Sequence, residues 1–326
     1  MQVSFEPSEE RLRSPKMKAE ELIDLDLYGV KHKVFSRSDN CYGLREAMKR
    51  FIVARIYERF SGDGSIPTEI DNPCVNDIYN GGNRDSWLVE FPMNKSDIFD
   101  TDCTLTTDEA FNKLVADLPD GYTFAKSAQK YDETACNAAI DKFHDTASCQ
   151  EIFAQDCLDA SGIPVPRIGQ DFFAVSSYFW NFRKILDLPA NTTLADAEDK
   201  VDKICTGPSP DPCPDCSATD CFETKYVLKV LTEDYHFDAD TFEGISFVDK
   251  VEGETVGWAT GLMVTKTAEV TGDALGKSEK GERKISAAIF AILLGFGIVM
   301  MLVSAVGVFV FHKTHYNRKL NRTSKE

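Results

Sequence analysis

The chain has 326 residues, with 53 acidic against 36 basic side chains, ten cysteines and a net charge of −17 at pH 7. That length allows one large domain or two smaller ones, with enough apolar residues for a core. An acid excess of this size argues against a nucleic-acid backbone as partner, since like charge repels it.

The first fifteen residues, MQVSFEPSEERLRSP, do not form a secretory leader, because Glu6, Glu9, Glu10, Arg11 and Arg13 interrupt any apolar run. Residues 2–6 and 30–37 alternate enough to predict strands. After Gly43, the residues Leu44, Met48, Phe51, Ile52, Ile56 and Phe60 recur near helical spacing. SGDGSIP and YNGGNRD are loops. The stretch 80–120 is patchy and polar and predicts surface elaboration. Helices are expected over 125–143, 174–187 and 194–204, the last entered by Thr193 three residues before Asp196, a capping-box-like start. The four prolines of GPSPDPCPDC exclude both helix and central strand from 207–216. CFETKYVLKVLTEDY reads as a helix, and GISFVDKV as a strand burying Ile245, Phe247 and Val251. Helices alternating with strands indicate an α/β class.

Residues 285–311 carry no charge, enough to span a ~30 Å hydrocarbon core as a transmembrane helix. The domain plan is therefore an ectodomain over 1–270, a polar stalk over 271–284, the span over 285–311 and a short tail over 312–326. Basic residues flank the span on both sides, so the positive-inside rule alone does not orient it. The cysteines do better. All ten lie between Cys41 and Cys221, the pattern of disulfides in an oxidising compartment. The sequons at Asn94 and Asn191 sit on the same side and are expected to be glycosylated. An oxidised ectodomain with no leader leaves two expectations open: either the disulfide reading is wrong, or residues ahead of Met1 are missing.

The five histidines do not pair at ligand spacing in the ectodomain, and no HExxH, GxSxG, Walker loop or GxGxxG occurs. Cys205, Cys213, Cys216 and Cys221 offer a single CxxC knuckle, which suits disulfides better than a zinc ribbon. No metal site and no catalytic residue is assigned. The aromatic run DFFAVSSYFWNF, 171–182, predicts core packing of a helix, with one ring free to stack a nucleobase in a cleft.

From Cys221 on, Cys221-Phe222, Tyr235-His236-Phe237, Ile245-Ser246-Phe247 and Val256-Gly257-Trp258-Ala259-Thr260-Gly261 resemble in order the closing motifs of the ectonucleoside triphosphate diphosphohydrolases, the membrane apyrases. LYGVKHKVFSRSDNCYG and DFFAVSSYF are similar to two further motifs of that family. The opening MQVSFEPSEERLRSP resembles the family stretch just past a glycine-rich phosphate motif. The resemblance implies the C-terminal lobe of an actin-like, ribonuclease-H-like nucleotidase fold that contributes base binding. The phosphate-binding motifs and catalytic glutamate are then expected upstream, so this chain alone is expected to be inactive. The full-length enzyme is expected to use Ca or Mg, none of it bound by this chain alone.

Carried across by position, the base-binding residues are Asp171, Ala174, Ser176, Phe179 and Trp258. The implied disulfides are Cys41–Cys103, Cys74–Cys136, Cys149–Cys157 and Cys205–Cys221, leaving Cys213 and Cys216 as an extra pair. Departures from the family pattern include Phe173 for a glycine, Thr255 for an aspartate and Asp220 for a tyrosine. The implied partners are nucleoside tri- and diphosphates, the N-terminal lobe of the same protein and the membrane, with the ectodomain lumenal or extracellular. The competing expectation is a non-catalytic membrane-anchored binding or assembly module.

Overall fold

The computed structural model describes residues 2–5, 18, 21–27, 30–75, 91–126, 131–166, 168–206, 217–251 and 254–255. Strands β1 (Gln2–Phe5), β2 (Leu22–Leu27) and β3 (Val30–Ser38) form an antiparallel sheet in the order β1-β3-β2. Phe35 of the central strand lies opposite both Phe5 and Leu22 and is completely buried.

Helix α1 (Leu44–Asp63) is the spine of the core. Met48, Phe51, Ile52, Ile56 and Phe60 are buried as their spacing predicts, but so are Lys49 and Arg50, so the helix is enclosed on more than its apolar face. Gly64 ends it at φ 75°, donating its N–H to the Phe60 carbonyl in the left-handed cap that glycine adopts without penalty. Strand β4 (Glu69–Ile70) follows.

Residues 91–126 are largely exposed or half-buried, as surface elaboration would be, yet they also send apolar side chains into the core. Helices α2 (Lys95–Ile98) and α3 (Glu109–Asp117) and strand β5 (Ala125–Lys126) carry the buried Phe91, Ile98, Phe111, Val115 and Phe124. These apolar residues are isolated among polar ones, which hides them from a periodicity test. The helix expected over 125–143 starts later, as α4 (Glu133–His144), because the Asp132 side chain accepts from Ala135 N–H and fixes the N-terminus there. Helix α5 (Thr146–Ile152) is capped in the same way by Asp145.

The helix expected over 174–187 is instead a strand, a break and a helix. Strand β6 (Phe172–Ala174) stops at Ser176, and α6 (Ser177–Phe179) runs on into a wide π-helical turn over Trp180–Ile185. Helix α7 (Leu194–Thr206) begins at the predicted cap, where Asp196 N–H donates to Thr193 Oγ1 at 3.1 Å and Thr193 Oγ1 donates to Asp196 Oδ2 at 2.7 Å. Helix α8 (Asp220–Lys229) also ends in a π turn, Val230–Asp234, and α9 (Ala239–Phe242) leads into β7 (Ile245–Phe247). Ile245 and Phe247 are buried, whereas Val251, in the short β8 (Lys250–Val251) paired with β9 (Glu254–Thr255), is only partly so. The layout is mixed helix and sheet, in keeping with an α/β class.

Among the described residues there are four disulfides: Cys41–Cys103, Cys74–Cys136, Cys149–Cys157 and Cys205–Cys221. They are the four pairs that the resemblance implies, and Cys213 and Cys216 lie outside the described residues. Among the described residues no helix is long and apolar enough to cross a membrane. The apolar run 285–311 lies outside them.

Two side chains tie these pieces together. Tyr226 donates its hydroxyl to the Tyr42 carbonyl at 2.9 Å, and Tyr42 OH donates to the Phe143 carbonyl while accepting from Leu158 N–H. Arg50, wholly buried, donates to the carbonyls of Cys103, Gln155 and Asp156 at 2.9, 2.6 and 3.0 Å. Its guanidinium also lies over the rings of Phe153 and Tyr42, at 4.9 and 5.4 Å. Lysine cannot reproduce a planar fork of three donors. Arg50→Lys should therefore destabilise the fold by about 2–4 kcal/mol, read from urea unfolding at constant m-value.

Candidate functional site

Strands β6 and β7 run parallel, Phe172 opposite Ile245 and Ala174 opposite Phe247. Their approach depends on Gly244. Phe172 N–H donates to its carbonyl at 2.9 Å, and a Cβ there would stand 2.5 Å from the Gln170 carbonyl oxygen. Side chains from both strands, from β1 and from the α8 π turn line a cavity of about 980 Å³.

Three of the five base-binding residues expected from the sequence meet on this wall: Asp171, Ala174 and Ser176. Phe179 is not among its lining residues. Its ring stands edge-on to Trp180 at 6.1 Å with Lys184 Nζ 5.8 Å from the ring centre. Trp258 lies outside the described residues. The structure adds residues that the sequence did not single out. Phe173 lines the cavity and is 61% exposed, and Tyr178 and Tyr235 form part of the wall. The replacement of a family glycine at Phe173 was the one signal that pointed to it. Tyr235 gave none beyond its place in a motif.

Ser176 makes the corner between β6 and α6. Its backbone sits at φ 58°, ψ −123°, a region that glycine occupies and serine avoids. No side-chain cap bond offsets that strain at the start of α6. The corner turns the chain out of the strand, so that Ala174 stays buried in the β6 row while Ser176 is exposed on the cavity wall.

Behind the wall lies a buried polar cluster. His144 Nε2 is 2.8 Å from Asp234 Oδ2, and both residues are buried. Burial pushes the Asp234 carboxyl above its usual range, although the neighbouring His144 pulls the other way. Tyr178, Tyr226 and Tyr235 are all shifted upward by burial. The Tyr178 and Tyr235 oxygens are buried without a hydrogen bond of normal geometry. His144 thus serves a structural pair at the π turn that delivers Leu231 and Tyr235 to the cavity.

Among the described residues no three His, Cys, Asp or Glu side chains converge to hold a metal ion. The divalent cation implied by the resemblance therefore meets no donor set among the described residues. What the described site offers is an apolar and aromatic wall with one carboxylate, Asp171, one amide, Gln170, and three serines, Ser4, Ser176 and Ser177, a set suited to holding a flat, partly polar ring.

Glycine removes the strain at residue 176, worth about 1–3 kcal/mol, and returns about 0.4–1 kcal/mol through the freer unfolded chain. Ser176→Gly should thus raise stability by about 1 kcal/mol in a denaturant titration, and a loss of stability would mean that the serine side chain holds the corner.

A family model described as the GDA1/CD39 (nucleoside phosphatase) family matches residues 1–285. Ectonucleoside triphosphate diphosphohydrolase 8 of Bos taurus is 26% identical over 255 residues, covering 76% of this chain and 46% of its own. Ectonucleoside triphosphate diphosphohydrolase 2 of Gallus gallus is 26% identical over 279 residues, covering 82% and 49% respectively. Ectonucleoside triphosphate diphosphohydrolase 1 of Rattus norvegicus is 22% identical over 334 residues, covering 97% and 56%. The chain spans about half the length of these curated relatives.

Proposed function

This chain belongs to the GDA1/CD39 (nucleoside phosphatase) family, and from that premise we propose that it supplies the nucleoside-binding part of a nucleoside tri- or diphosphate hydrolase. The observation that carries the proposal is the cavity at the β6–α6 corner, where Asp171, Ala174 and Ser176 meet on one wall. An aromatic and polar wall of this kind holds a base and positions it, and positioning is a large part of catalysing phosphoryl transfer. On the family resemblance, the water-activating groups, the divalent cation site and the phosphate cradle would come from an N-terminal lobe that this chain does not include. The complete protein would then be a two-lobed, actin-like enzyme, with this chain as its C-terminal lobe.

The same proposal places the lobe outside the cytosol. Asn94 and Asn191 are both exposed, and eight cysteines are paired in disulfides. The run 285–311 would anchor it, with 271–284 as stalk and 312–326 as cytoplasmic tail. Glycosidase treatment of the protein from membranes should increase its gel mobility, and unchanged mobility in the wild type together with Asn94→Gln and Asn191→Gln would place it in the cytosol.

The functional test separates binding from chemistry. The full chain in detergent should bind a nucleoside diphosphate by calorimetry, yet release no phosphate from it with calcium or magnesium present. Phosphate release by this chain would overturn the division of labour, and absence of binding would favour a non-catalytic assembly module.

A further inference from the structure

A smaller pocket of about 310 Å³ shares no lining residue with the first, and three cations border it: Arg45 and Lys49 from α1 and Lys126 from β5. Lys49 is buried and already bound to two carboxylates, Glu46 Oε1 at 3.0 Å and Asp100 Oδ1 at 2.6 Å. Arg45 and Lys126 are exposed and make no ion pair among the described residues. Their donors are free at the rim of one concavity.

Asn94 lines the same pocket, and its side chain is held at both ends. Its amide nitrogen donates to Asp97 Oδ2 at 3.0 Å, and Thr123 Oγ1 donates to its Oδ1 at 2.5 Å. A carboxylate only accepts hydrogen bonds, so the nitrogen is the atom that faces Asp97. Asp97 and Thr123 also line the pocket, which fixes the amide at its wall. Asn94-Lys95-Ser96 is a sequon, and this nitrogen is the atom that carries the sugar in a glycosylated asparagine. One hydrogen stays on it afterwards, enough for Asp97.

Phe91 and Met93 give the pocket an apolar side. Its volume falls at the lower end for small-molecule sites, room for one sugar ring rather than a nucleotide. A lone anion suits it poorly, because Asp97 is in the lining and Glu46 and Asp100 offset Lys49. An N-acetylated sugar suits it better: its C–H face is apolar, its amide carbonyl accepts and its hydroxyls donate.

We propose that this pocket seats the first N-acetylglucosamine of a glycan on Asn94. The sugar's C–H face lies against Met93 and Phe91, its N-acetyl carbonyl accepts from Arg45 and Lys126, and a hydroxyl donates to Asp97. The linkage forms when the amide nitrogen, losing a proton, displaces a lipid diphosphate from the sugar C1 of a lipid-linked oligosaccharide donor. This rests on the placement outside the cytosol proposed above and adds a sugar-binding site to it. Once seated, the sugar ties α1 to β5 and to the 91–97 segment.

The test compares the full chain, purified from membranes in detergent, with its Ser96→Ala variant, which removes the sequon and keeps the Asn94 amide. Both are trimmed with an endoglycosidase that leaves one N-acetylglucosamine per site, so any sugar left on Asn191 is common to the two. The trimmed wild type should unfold about 2–4 °C higher at one scan rate, the shift that one net hydrogen bond gives a domain of roughly this size. With Arg45→Ala and Lys126→Ala introduced into both chains, that difference should fall to about half or less. Equal midpoints for wild type and Ser96→Ala, or a difference that the double substitution leaves unchanged, would overturn the proposal. Mass spectrometry of the peptides separates the two levels. A sugar on Asn191 with none on Asn94 overturns this proposal alone, whereas bare asparagines at both positions remove the placement beneath it.

Discussion

Arg50 brings a permanent charge into the middle of the protein, and its hydrogen-bond partners there are three carbonyl oxygens and the Cys149 sulfur rather than a carboxylate. A guanidinium in that position is tolerated only while every donor is met, because a buried charge left unsatisfied costs far more than the bonds it forms. Burial pulls its pKa below the usual arginine range, a direct sign of that cost. The surrounding segments are thereby obliged to converge. Cys103 arrives with its disulfide to Cys41, and Gln155 and Asp156 arrive in the loop closed by Cys149–Cys157. Asp156 accepts a left-handed backbone, φ 50°, within that arrangement.

From this node the order passes to the cavity by contact. Tyr42, beneath the Arg50 guanidinium, accepts from Tyr226 on α8, and α8 runs into the π turn whose Leu231 and Tyr235 line the wall. π-helical turns are uncommon and recur near functional sites, and here both flank the cavity segment, one after β6 and one before β7. The opposite wall is held by the β6–β7 pair, which closes only because Gly244 has no side chain. The candidate site is therefore built from a short strand and two irregular turns, each braced by a rigid core, an arrangement that gives precise placement without long regular elements.

Much of the core was legible in the sequence. The apolar spacing along 44–60 marked the central helix, Thr193 and Asp196 marked the start of α7, and the family resemblance supplied four cysteine pairs. The site was legible in part. The motif at 171–179 pointed to the right segment, but its density of rings suggested one continuous helix, whereas Ser176 breaks it. A serine at positive φ leaves no mark on composition or periodicity, so the corner, and with it the outward turn of Phe173 and the separate packing of Phe179, was hidden. The buried residues of 91–126 were missed for a related reason: lone phenylalanines among acids show no repeat, and only the fold collects them.

The crossing of two disulfides has a consequence for how the protein is made. Cys74 lies between Cys41 and Cys103 in the chain, and Cys103 lies between Cys74 and Cys136, so the two loops interlock rather than nest. Oxidation in order of synthesis would join Cys41 to Cys74 before either native partner had emerged. The native set then depends on thiol exchange to undo that first link. Folding of this chain is thereby tied to the thiol–disulfide balance of its surroundings, so a shift in that balance would set how much of it attains the native pairing.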